Sequence, residues 1–399
     1  MAKIGIYGGT FNPPHVGHIL AAQQCREQLG LDKVILIPAA IPPHKALGDD
    51  SADAATRLAL TRLAVQGVDG LTVSDIELNR GGTSYTVDTL RQIKASYHHD
   101  KLYLLMGTDM FLSFESWRSP EQIAKLARPV CLHRSKENPQ LQLEIEQQAK
   151  KLKKLYHCTP VLLDNACVDI SSTQVRRLLF FGCAQSYLPP AVLEKIESER
   201  LYQLDADYRA LPFDRLKQIS LSLLKPARVA HVVGCCETAI ALARRYGADE
   251  SDAARAGILH DVTKALTGEQ QLQLCEHFQL AITDFERTHP KLLHAKTGAA
   301  VAERIFDENG DVCRAICYHT TGRAEMSTLE KIIYLADYIE PTRAFDGVEQ
   351  LREAVWRSLD EGMLLGLEMT LEHLHEQGQA QASDSVDAKQ WLLAKGTNT

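Results

Sequence analysis

Residues 3–18 read KIGIYGGTFNPPHVGH, and this stretch decides the fold of the first half of the chain. It begins as an apolar run typical of a buried strand, passes through Gly8 and Gly9, and enters a helical pattern. Glycines between a parallel strand and a helix let backbone N–H groups approach an anion, and the helix dipole favours negative charge. The spacing matches neither G-x-G-x-x-G nor a Walker loop, so it predicts a phosphate site of another type.

The same alternation of strand and helix continues to about residue 200. Further buried strands are predicted at 33–37, 71–74, 102–106 and 129–132. Helices are predicted at 17–29, 54–65, 86–96 and 120–127. Because alternating strands and helices require crossover connections, this pattern indicates an α/β domain with a doubly wound, mostly parallel sheet.

The second half of the chain predicts an all-α domain. Its first apolar positions follow a 4-3-4-3 spacing on one helix face: Val229, Val233, Cys236, Ile240 and Ala243. Gly247 is expected to end this helix, and Asp249 or Ser251 to cap the next. Further helices are predicted at 251–262, 269–278, 295–307, 311–319, 327–339 and 347–376.

These patterns divide the chain into four predicted segments. They are an α/β domain at 1–204, a linker at 205–214, a helical domain at 215–378 and a flexible tail at 379–399. The linker contains Pro212, which interrupts the apolar periodicity, and the tail is rich in Gln, Ser and Asp.

Composition restricts the classes of function. The 399 residues are 45% apolar and 24% charged, with a formal net charge of −7, which argues against a general nucleic-acid or anionic-membrane binder. No run approaches the ~20 apolar residues of a spanning helix, and the N-terminus lacks signal-peptide features. The ten cysteines include no C-x-x-C and are interpreted as free thiols of a reducing compartment. We expect a cytoplasmic protein, and homo-oligomerisation stays open.

Two histidines follow the glycine turn in the pattern His15-x-Gly17-His18. Two imidazoles beside a phosphate site can donate hydrogen bonds to phosphate oxygens and stabilise the charge of nucleotidyl transfer. The alternative is a turn with two incidental surface histidines. The H-x-G-H pattern alone does not decide between them.

A second segment, ISSTQVRR at 170–177, opens a helix. Ser171, Ser172 and Thr173 are good N-cap residues, and their hydroxyls can also bind phosphate. The arginine pair at 176–177 opposes the helix dipole so close to the N-terminus, which is more consistent with an anion site. A solvated, charged helix face is the alternative.

The two segments together resemble the nucleotidyltransferase superfamily with the H-x-G-H and I-S-S-T-x-x-R signatures. Three further segments narrow the resemblance: PPHK at 42–45, GTSYTVDTL at 82–90, and MGTD at 106–109 with Trp117 beyond it. They resemble nicotinate-nucleotide adenylyltransferase of the bacterial NadD type, and the resemblance covers about residues 1–203.

This resemblance implies adenylyl transfer from ATP to nicotinate mononucleotide, with Mg²⁺ bridging the phosphates and deamido-NAD and pyrophosphate as products. It implies catalytic roles for His15, His18, Lys45 and Arg176. The nucleotide- and substrate-binding residues that it implies are Gly8, Gly9, Thr10, Phe11, Ser84, Tyr85, Thr86, Gly107, Asp109, Trp117, Ile170, Ser171, Ser172 and Thr173.

Two of these residues carry alternative interpretations. Trp117 would stack on the pyridine ring, although a core aromatic is the ordinary interpretation. Asp109 could hold adenosine or metal, or cap a helix. A relative that uses pantetheine phosphate shares H-x-G-H, but Trp117 and the segment 84–86 discriminate against it.

The helical half carries a second constellation of histidines and aspartates. Its members are His231, His260, Asp261, His294, His319 and Asp337. Asp337 lies inside the apolar run KIIYLADYI at 331–339, where a carboxylate is costly unless it is paired or bound to metal. One histidine alone would be unremarkable, but the joint pattern predicts a metal site. Imidazoles and carboxylates favour iron, manganese, cobalt or zinc over Mg²⁺ alone.

This pattern resembles the HD metal-dependent phosphohydrolase superfamily. The segments LHDVTK at 259–264, HTTG at 319–322 and LADYIEPTR at 335–343 resemble the YqeK family of symmetrical diadenosine-tetraphosphate hydrolases, over about residues 215–376. The resemblance implies that Asp261 bridges two metal ions during hydrolysis of diadenosine tetraphosphate to two ADP. His231, His260 and Asp337 would complete the coordination of one ion, and His294 and His319 would coordinate the other. Lys264 and Arg343 would neutralise the polyphosphate, and His289 is a spare candidate ligand.

The alternatives left open concern the second half. It could be a regulatory or nucleotide-sensing module, although all six ligand positions are filled, or it could hydrolyse another nucleotide. A whole-chain RNA- or nucleotide-sensing protein is disfavoured, because the chain is acidic and lacks basic-aromatic patches.

Overall fold

The structure is a computed structural model that describes residues 1–43, 47–48, 51–132, 139–164, 168, 170–204 and 206–396. It separates into two compact units, Met1–Ala206 and Asp207–Thr399. No helix in the described ranges is long and apolar enough to cross a bilayer.

The first unit is built on one six-stranded sheet in the order β3-β2-β1-β4-β5-β6. All five pairings are parallel. The strands are β1 Lys3–Gly9, β2 Lys33–Pro38, β3 Leu71–Val73, β4 Lys101–Gly107, β5 Arg128–Leu132 and β6 Val161–Leu163. The parallel, doubly wound α/β prediction is confirmed. The sequence patterns missed β6, which has only three residues.

Nine helices connect and cover these strands in the described part of the first unit. They are α1 Val16–Leu29, α2 Ala54–Val65, α3 Ile76–Arg80, α4 Thr86–Ser96, α5 Thr108–Leu112, α6 Pro120–Leu126, α7 Pro139–Tyr156, α8 Ser172–Phe180 and α9 Pro190–Ser198. The helices α2 and α4 have the predicted bounds. The sequence analysis missed α7, which is mostly Gln, Glu and Lys and buries only Ile145, Gln148 and Leu152.

The strand order creates the position for a ligand. The chain leaves β1 toward β2 on one side, and the later strands β4, β5 and β6 extend the other side. Ligands of open parallel sheets bind beyond the carboxyl ends of the strands at such a reversal. Gly8 and Gly9 end β1 and Gly107 ends β4, so all three lie at this point.

The second unit is helical, as predicted. Its helices are α10 Phe213–Leu223, α11 Val229–Tyr246, α12 Glu250–Leu259, α13 Gly268–His277, α14 Asp284–Thr288, α15 Leu293–Arg304, α16 Gly310–Cys317, α17 Thr328–Ile339, α18 Val348–Arg357, α19 Leu359–Glu376 and α20 Ser383–Gly396. Gly247 ends α11 in the left-handed conformation (φ 71°). Asp249, rather than Ser251, caps α12 by accepting a hydrogen bond from the Asp252 N–H.

Close packing of α11 against α12 brings the candidate ligands together. Gly257 of α12 makes this approach possible, because a Cβ there would lie 2.8 Å from the Cys236 Cα of α11. The helices α15, α16 and α17 complete the core around this pair.

Two predictions for the end of the chain are corrected. The single helix predicted at 347–376 is broken at Ser358, whose backbone is extended and whose side chain caps α19 by accepting from the Glu361 N–H. The tail predicted to be flexible contains α20. Its polar composition hides one packed face, on which Ser385, Ala388 and Leu392 recur at helical spacing and are buried.

Candidate active sites

A cleft of about 520 Å³ lies at the carboxyl edge of the first sheet. Its volume falls within the roughly 300–1,000 Å³ range of small-molecule sites. It gathers most residues predicted for the first site: Gly8, Gly9, Thr10, Phe11, His15, His18, Ser84, Tyr85, Thr86, Gly107, Asp109, Trp117, Ser171, Ser172 and Thr173. Lys45 lies outside the described residues, and Ile170 is buried away from the lining, against Gly17.

The two histidines stand together at the beginning of α1. Their ring centroids are 3.7 Å apart. The His18 Nδ1 accepts a hydrogen bond from the backbone N–H of His15 at 3.2 Å. A nitrogen that accepts carries no proton, so the neutral His18 ring carries its proton on Nε2. His18 can therefore donate through Nε2 to an anion in the cleft.

The second predicted segment braces the phosphate loop, which we define as residues 8–15. Arg176 Nη1 donates to the carbonyl of Asn12 at 2.7 Å, and Ser172 Oγ donates to the carbonyl of Pro13 at 2.8 Å. Ser171 forms a capping box with Gln174 at the start of α8. Arg176 is not among the residues that line the cleft, and its Nη1 contacts the backbone of the phosphate loop.

The opposite end of the cleft is aromatic. Trp117 is half-buried, packs against Phe114 at a centroid distance of 5.5 Å, and also lines the cleft, so it serves the core and remains available for stacking. Ser84 is committed to structure, because its N–H donates to the Ile41 carbonyl and its Oγ accepts from the Ala40 N–H. Thr86 begins α4, so its N–H is among those that a helix leaves unsatisfied.

Sequence analysis missed two charged residues of this lining. The Arg118 guanidinium lies 4.5 Å from the centre of the Tyr85 ring. Glu77 is buried and accepts a hydrogen bond from Thr89 Oγ1 at 2.6 Å. Arg118 directly follows Trp117, so its position in the sequence could have drawn attention to it.

The second unit brings its six predicted ligands into one buried cluster. Asp261 stands at the centre, and its two oxygens face different neighbours. Oδ2 lies 3.5 Å from His260 Nε2 and 3.9 Å from His231 Nε2. Oδ1 lies 3.3 Å from His294 Nε2 and 3.8 Å from His319 Nε2.

Asp337 belongs to the Oδ2 side of the cluster. Its Oδ1 lies 2.9 Å from His231 Nε2 and 3.9 Å from His260 Nε2. The ligand atoms of His231, His260 and Asp337 form one group spaced closely enough for a metal ion, and those of His260, Asp261 and His319 form another.

Hydrogen bonds on the far side of each ring orient the histidines. Nδ1 of His260, His294 and His319 donates to the carbonyls of Gly257, Lys291 and Ile316, at 2.8, 2.6 and 2.7 Å. A carbonyl can only accept, so Nδ1 carries the proton and Nε2 presents a lone pair to the cluster.

The fourth histidine uses a carboxylate for the same purpose. Nδ1 of His231 lies 2.9 Å from Oε1 of the buried Glu340. A Cβ at Gly234 would lie 2.7 Å from Glu340 Oε2, so this glycine gives the carboxylate its room. Glu340 was not predicted as a site residue, although it lies in the quoted run 335–343.

The chemistry of the cluster fits a cation. His260 Nε2 and Asp261 Oδ1 are buried without a hydrogen-bond partner among the residues described. Burial lowers the pKa of His260 and of His294 to about 4, so both rings are neutral at pH 7 and able to bind a metal ion. Burial would raise the pKa of Asp261, but neighbouring positive charge, including the Lys264 ammonium, holds it well below its usual range.

Three cationic side chains surround the carboxylates. Lys264 Nζ lies 3.9 Å from Asp261 Oδ1. Arg343 Nη2 donates to Asp337 Oδ1 at 2.6 Å. Arg228, which sequence analysis missed, contacts Asp261 Oδ2 at 2.5 Å through Nε. It precedes His231 by one helical turn, which is the only signal that could have found it.

The spare candidate ligand does not join the cluster. His289 is exposed, and its ring stacks on Phe285 at a centroid distance of 4.2 Å.

Comparisons with known proteins match the two units separately. The cytidylyltransferase-like family matches residues 6–178, and the HD domain family matches residues 228–342. A relative in Borreliella burgdorferi, named probable nicotinate-nucleotide adenylyltransferase, is 35% identical over 201 residues, which are 50% of this chain and 96% of the relative. A relative of the same name in Citrifermentans bemidjiense is 39% identical over 212 residues, which are 50% of this chain and 98% of the relative.

A solved structure matches the chain with 34% identity and a TM-score of 0.45, covering 46% of this chain and 98% of its own. It is named a predicted HD superfamily hydrolase involved in NAD metabolism, from Clostridium acetobutylicum. Two relatives above one-third identity are matched over nearly their whole length. The first half of this chain therefore belongs to the nicotinate-nucleotide adenylyltransferase family, and a helical HD domain follows it.

Proposed function

We propose that this chain is a bifunctional enzyme. The first unit transfers the adenylyl group of ATP to nicotinate mononucleotide and releases deamido-NAD and pyrophosphate. The second hydrolyses diadenosine tetraphosphate symmetrically to two ADP. The cleft with its paired histidines and half-buried tryptophan supports the first activity, together with the names of the relatives.

In the first reaction, the 5′-phosphate of nicotinate mononucleotide attacks the α-phosphate of ATP in line, and pyrophosphate leaves. The His18 Nε2–H donates to the phosphate oxygens on which charge develops, with His15 beside it. Trp117 stacks on the pyridine ring, and the Thr86 N–H meets the nicotinate carboxylate. Lys45 and residues 171–173 contact the triphosphate. Mg²⁺, held by the substrate phosphates, would supply further neutralisation.

Product analysis tests this activity. The full chain is incubated with ATP, Mg²⁺ and either nicotinate or nicotinamide mononucleotide, and the products are identified by mass spectrometry. We expect deamido-NAD and pyrophosphate in equal amounts. No dinucleotide from either mononucleotide would contradict the proposal.

The observation that supports the second reaction is the division of the Asp261 carboxylate between two sets of ligands. Oδ2 with His231, His260 and Asp337 would hold one ion, and Oδ1 with His294 and His319 the other. Iron is our first choice, with manganese, cobalt or zinc as alternatives. Such ions supply a hydroxide at neutral pH and polarise phosphoryl oxygens.

Around this centre, the chain's own cations bind the polyphosphate. Lys264 and Arg343 present an ammonium and a guanidinium to its anionic oxygens. The test supplies diadenosine tetraphosphate, ATP and other nucleotides with each metal in turn. Two ADP from the dinucleotide is the expected result. ATP with AMP would contradict symmetrical cleavage, and cleavage of another nucleotide alone would identify a different hydrolase.

A further inference from the structure

Arg57 of α2 is fully buried, and three of its nitrogens donate to three main-chain carbonyls. Nη1 donates to Thr10 at 2.8 Å, Nη2 to Ala40 at 3.1 Å and Nε to Ala52 at 3.2 Å. Thr10 belongs to the phosphate loop and Ala40 follows β2. One side chain therefore connects two loops of the adenylyltransferase cleft to the beginning of α2.

Stability alone does not account for a charge at this position. Arg57 has no ion-paired carboxylate within 4 Å in the described ranges, and burial lowers its pKa. Burying a guanidinium is expensive, and apolar side chains of similar volume often stabilise a core at least as well. The three carbonyls that it holds therefore point to a role in shaping the cleft.

The contact with Thr10 sets the direction of a backbone donor. In a trans peptide the C=O and the next N–H point in opposite directions, so holding the Thr10 carbonyl directs the Phe11 N–H away from Arg57. Phe11 lines the cleft and has a left-handed φ of 48°. Such a conformation is strained for a residue other than glycine and persists only where its surroundings enforce it. Arg176 holds the Asn12 carbonyl on the other side of Phe11.

The contact with Ala40 connects the two ends of the cleft. The Ala40 N–H donates to Ser84 Oγ, and the Ala40 carbonyl accepts from Arg57. The phosphate loop and the segment that begins α4 are thus fixed through one chain of hydrogen bonds.

We infer that Arg57 is a positioning residue for adenylyl transfer: it holds the Thr10–Phe11 peptide in the orientation that receives the ATP phosphates. This inference rests on the adenylyl transfer proposed above. Arg57 acts through the backbone and contacts no substrate.

Full-length Arg57→Met and Arg57→Lys variants test this role against Arg62→Met. Arg62 is on the same helix but exposed, paired with Asp75. In Arg57→Met we expect kcat to fall by about 10²-fold, because small displacements of positioning groups have effects of that size. KM for ATP should rise, and KM for nicotinate mononucleotide should change little. Arg57→Lys should recover part of the loss, and Arg62→Met should match wild type.

Folding is checked by circular dichroism and thermal unfolding. A folded Arg57→Met with wild-type kcat and KM for ATP would overturn the inference, as would an equal rise of both KM values at unchanged kcat. If Arg57→Met does not fold, the kinetic constants of Arg57→Lys test the inference. One ammonium cannot reach all three carbonyls that the guanidinium holds, so this variant should still be impaired. Wild-type constants in Arg57→Lys would then overturn it. If the proposed function itself is wrong, the wild-type protein will show no adenylyl transfer, which distinguishes that outcome from failure of the inference about Arg57.

Discussion

The Nε2 atoms of His294 and His319 lie 3.1 Å apart and face each other with lone pairs, because each ring donates through Nδ1 to a backbone carbonyl. Two facing lone pairs repel unless a cation lies between or beside them. Lys264 Nζ reaches His294 Nε2 at 2.9 Å. This half of the cluster is therefore built for positive charge, and metal content is the property to measure first.

Substituting the central carboxylate should remove both ions. We expect Asp261→Ala to lose most bound transition metal and all hydrolysis, whereas His294→Ala should lose less metal. Adenylyl transfer should persist in both variants. His289→Ala is the matched control, because this histidine is exposed and outside the cluster. Elemental analysis of the purified proteins measures the metal, and equal losses in Asp261→Ala and His289→Ala would refute the assignment.

Arg228 should serve the anionic substrate. Its guanidinium contacts Asp261 Oδ2, so an ion on that oxygen would release it toward phosphate. In Arg228→Gln we expect KM for diadenosine tetraphosphate to rise by about 10–100-fold with metal content retained, since charged hydrogen bonds contribute about 1.5–3 kcal/mol. Arg215→Gln, an exposed arginine of α10, should behave as wild type. Loss of metal in Arg228→Gln would instead show that the arginine supports the ligands.

Arg118 should favour nicotinate over nicotinamide mononucleotide. It lines the cleft beside Tyr85 and carries the charge that the nicotinate carboxylate requires. We expect Arg118→Ala to reduce the ratio of the two kcat/KM values by about tenfold or more, for the same energetic reason. Arg91→Ala is the control, because Arg91 also pairs with Asp88 but does not line the cleft. An unchanged ratio of the two kcat/KM values in Arg118→Ala would show that backbone N–H groups, rather than Arg118, select nicotinate mononucleotide.

Substitution of His18 should lower kcat for adenylyl transfer rather than weaken substrate binding. Its Nε2–H is a donor whose contribution grows as charge develops, so His18→Ala should lower kcat by about 10²–10³-fold with little change in KM for nicotinate mononucleotide. Steady-state kinetics separates the two constants. A raised KM at normal kcat would assign His18 to ground-state binding.

The first unit should be active alone. A fragment of residues 1–206 contains the whole cleft and forms its own compact unit. We expect it to form deamido-NAD at a rate close to that of the full chain. A folded but inactive fragment would mean that the second unit contributes to the reaction.

The fold followed from patterns that burial imposes on a sequence. Runs such as VILI at 34–37 are apolar on both faces, so they predict strands of a covered parallel sheet. The three-residue strand at 161–163 was missed, although the equally short strand at 71–73 was predicted. Helix α20 packs through a face of Ser385, Ala388 and Leu392, which a polar composition conceals.

The candidate ligands were predictable because a carboxylate such as Asp337 inside an apolar run needs a partner. The roles of Arg228 and Arg57 were not predictable, because an arginine on a helix ordinarily faces water. Arg57 is buried by contacts with the carbonyls of Thr10 and Ala40, which lie far from it in sequence. Nothing in the residues around it marks such a contact.

The anchoring of the histidine rings also determines how this centre can change in evolution. The groups behind His260, His294 and His319 belong to the main chain, and every amino acid supplies the same carbonyl. Point substitutions at the anchoring positions leave these three acceptors in place while the helices persist. His231 differs, because its anchor is the Glu340 side chain. Glu340 is therefore the one ring support in this set that a single codon change can remove. It is the anchoring position most open to evolutionary drift and to engineering.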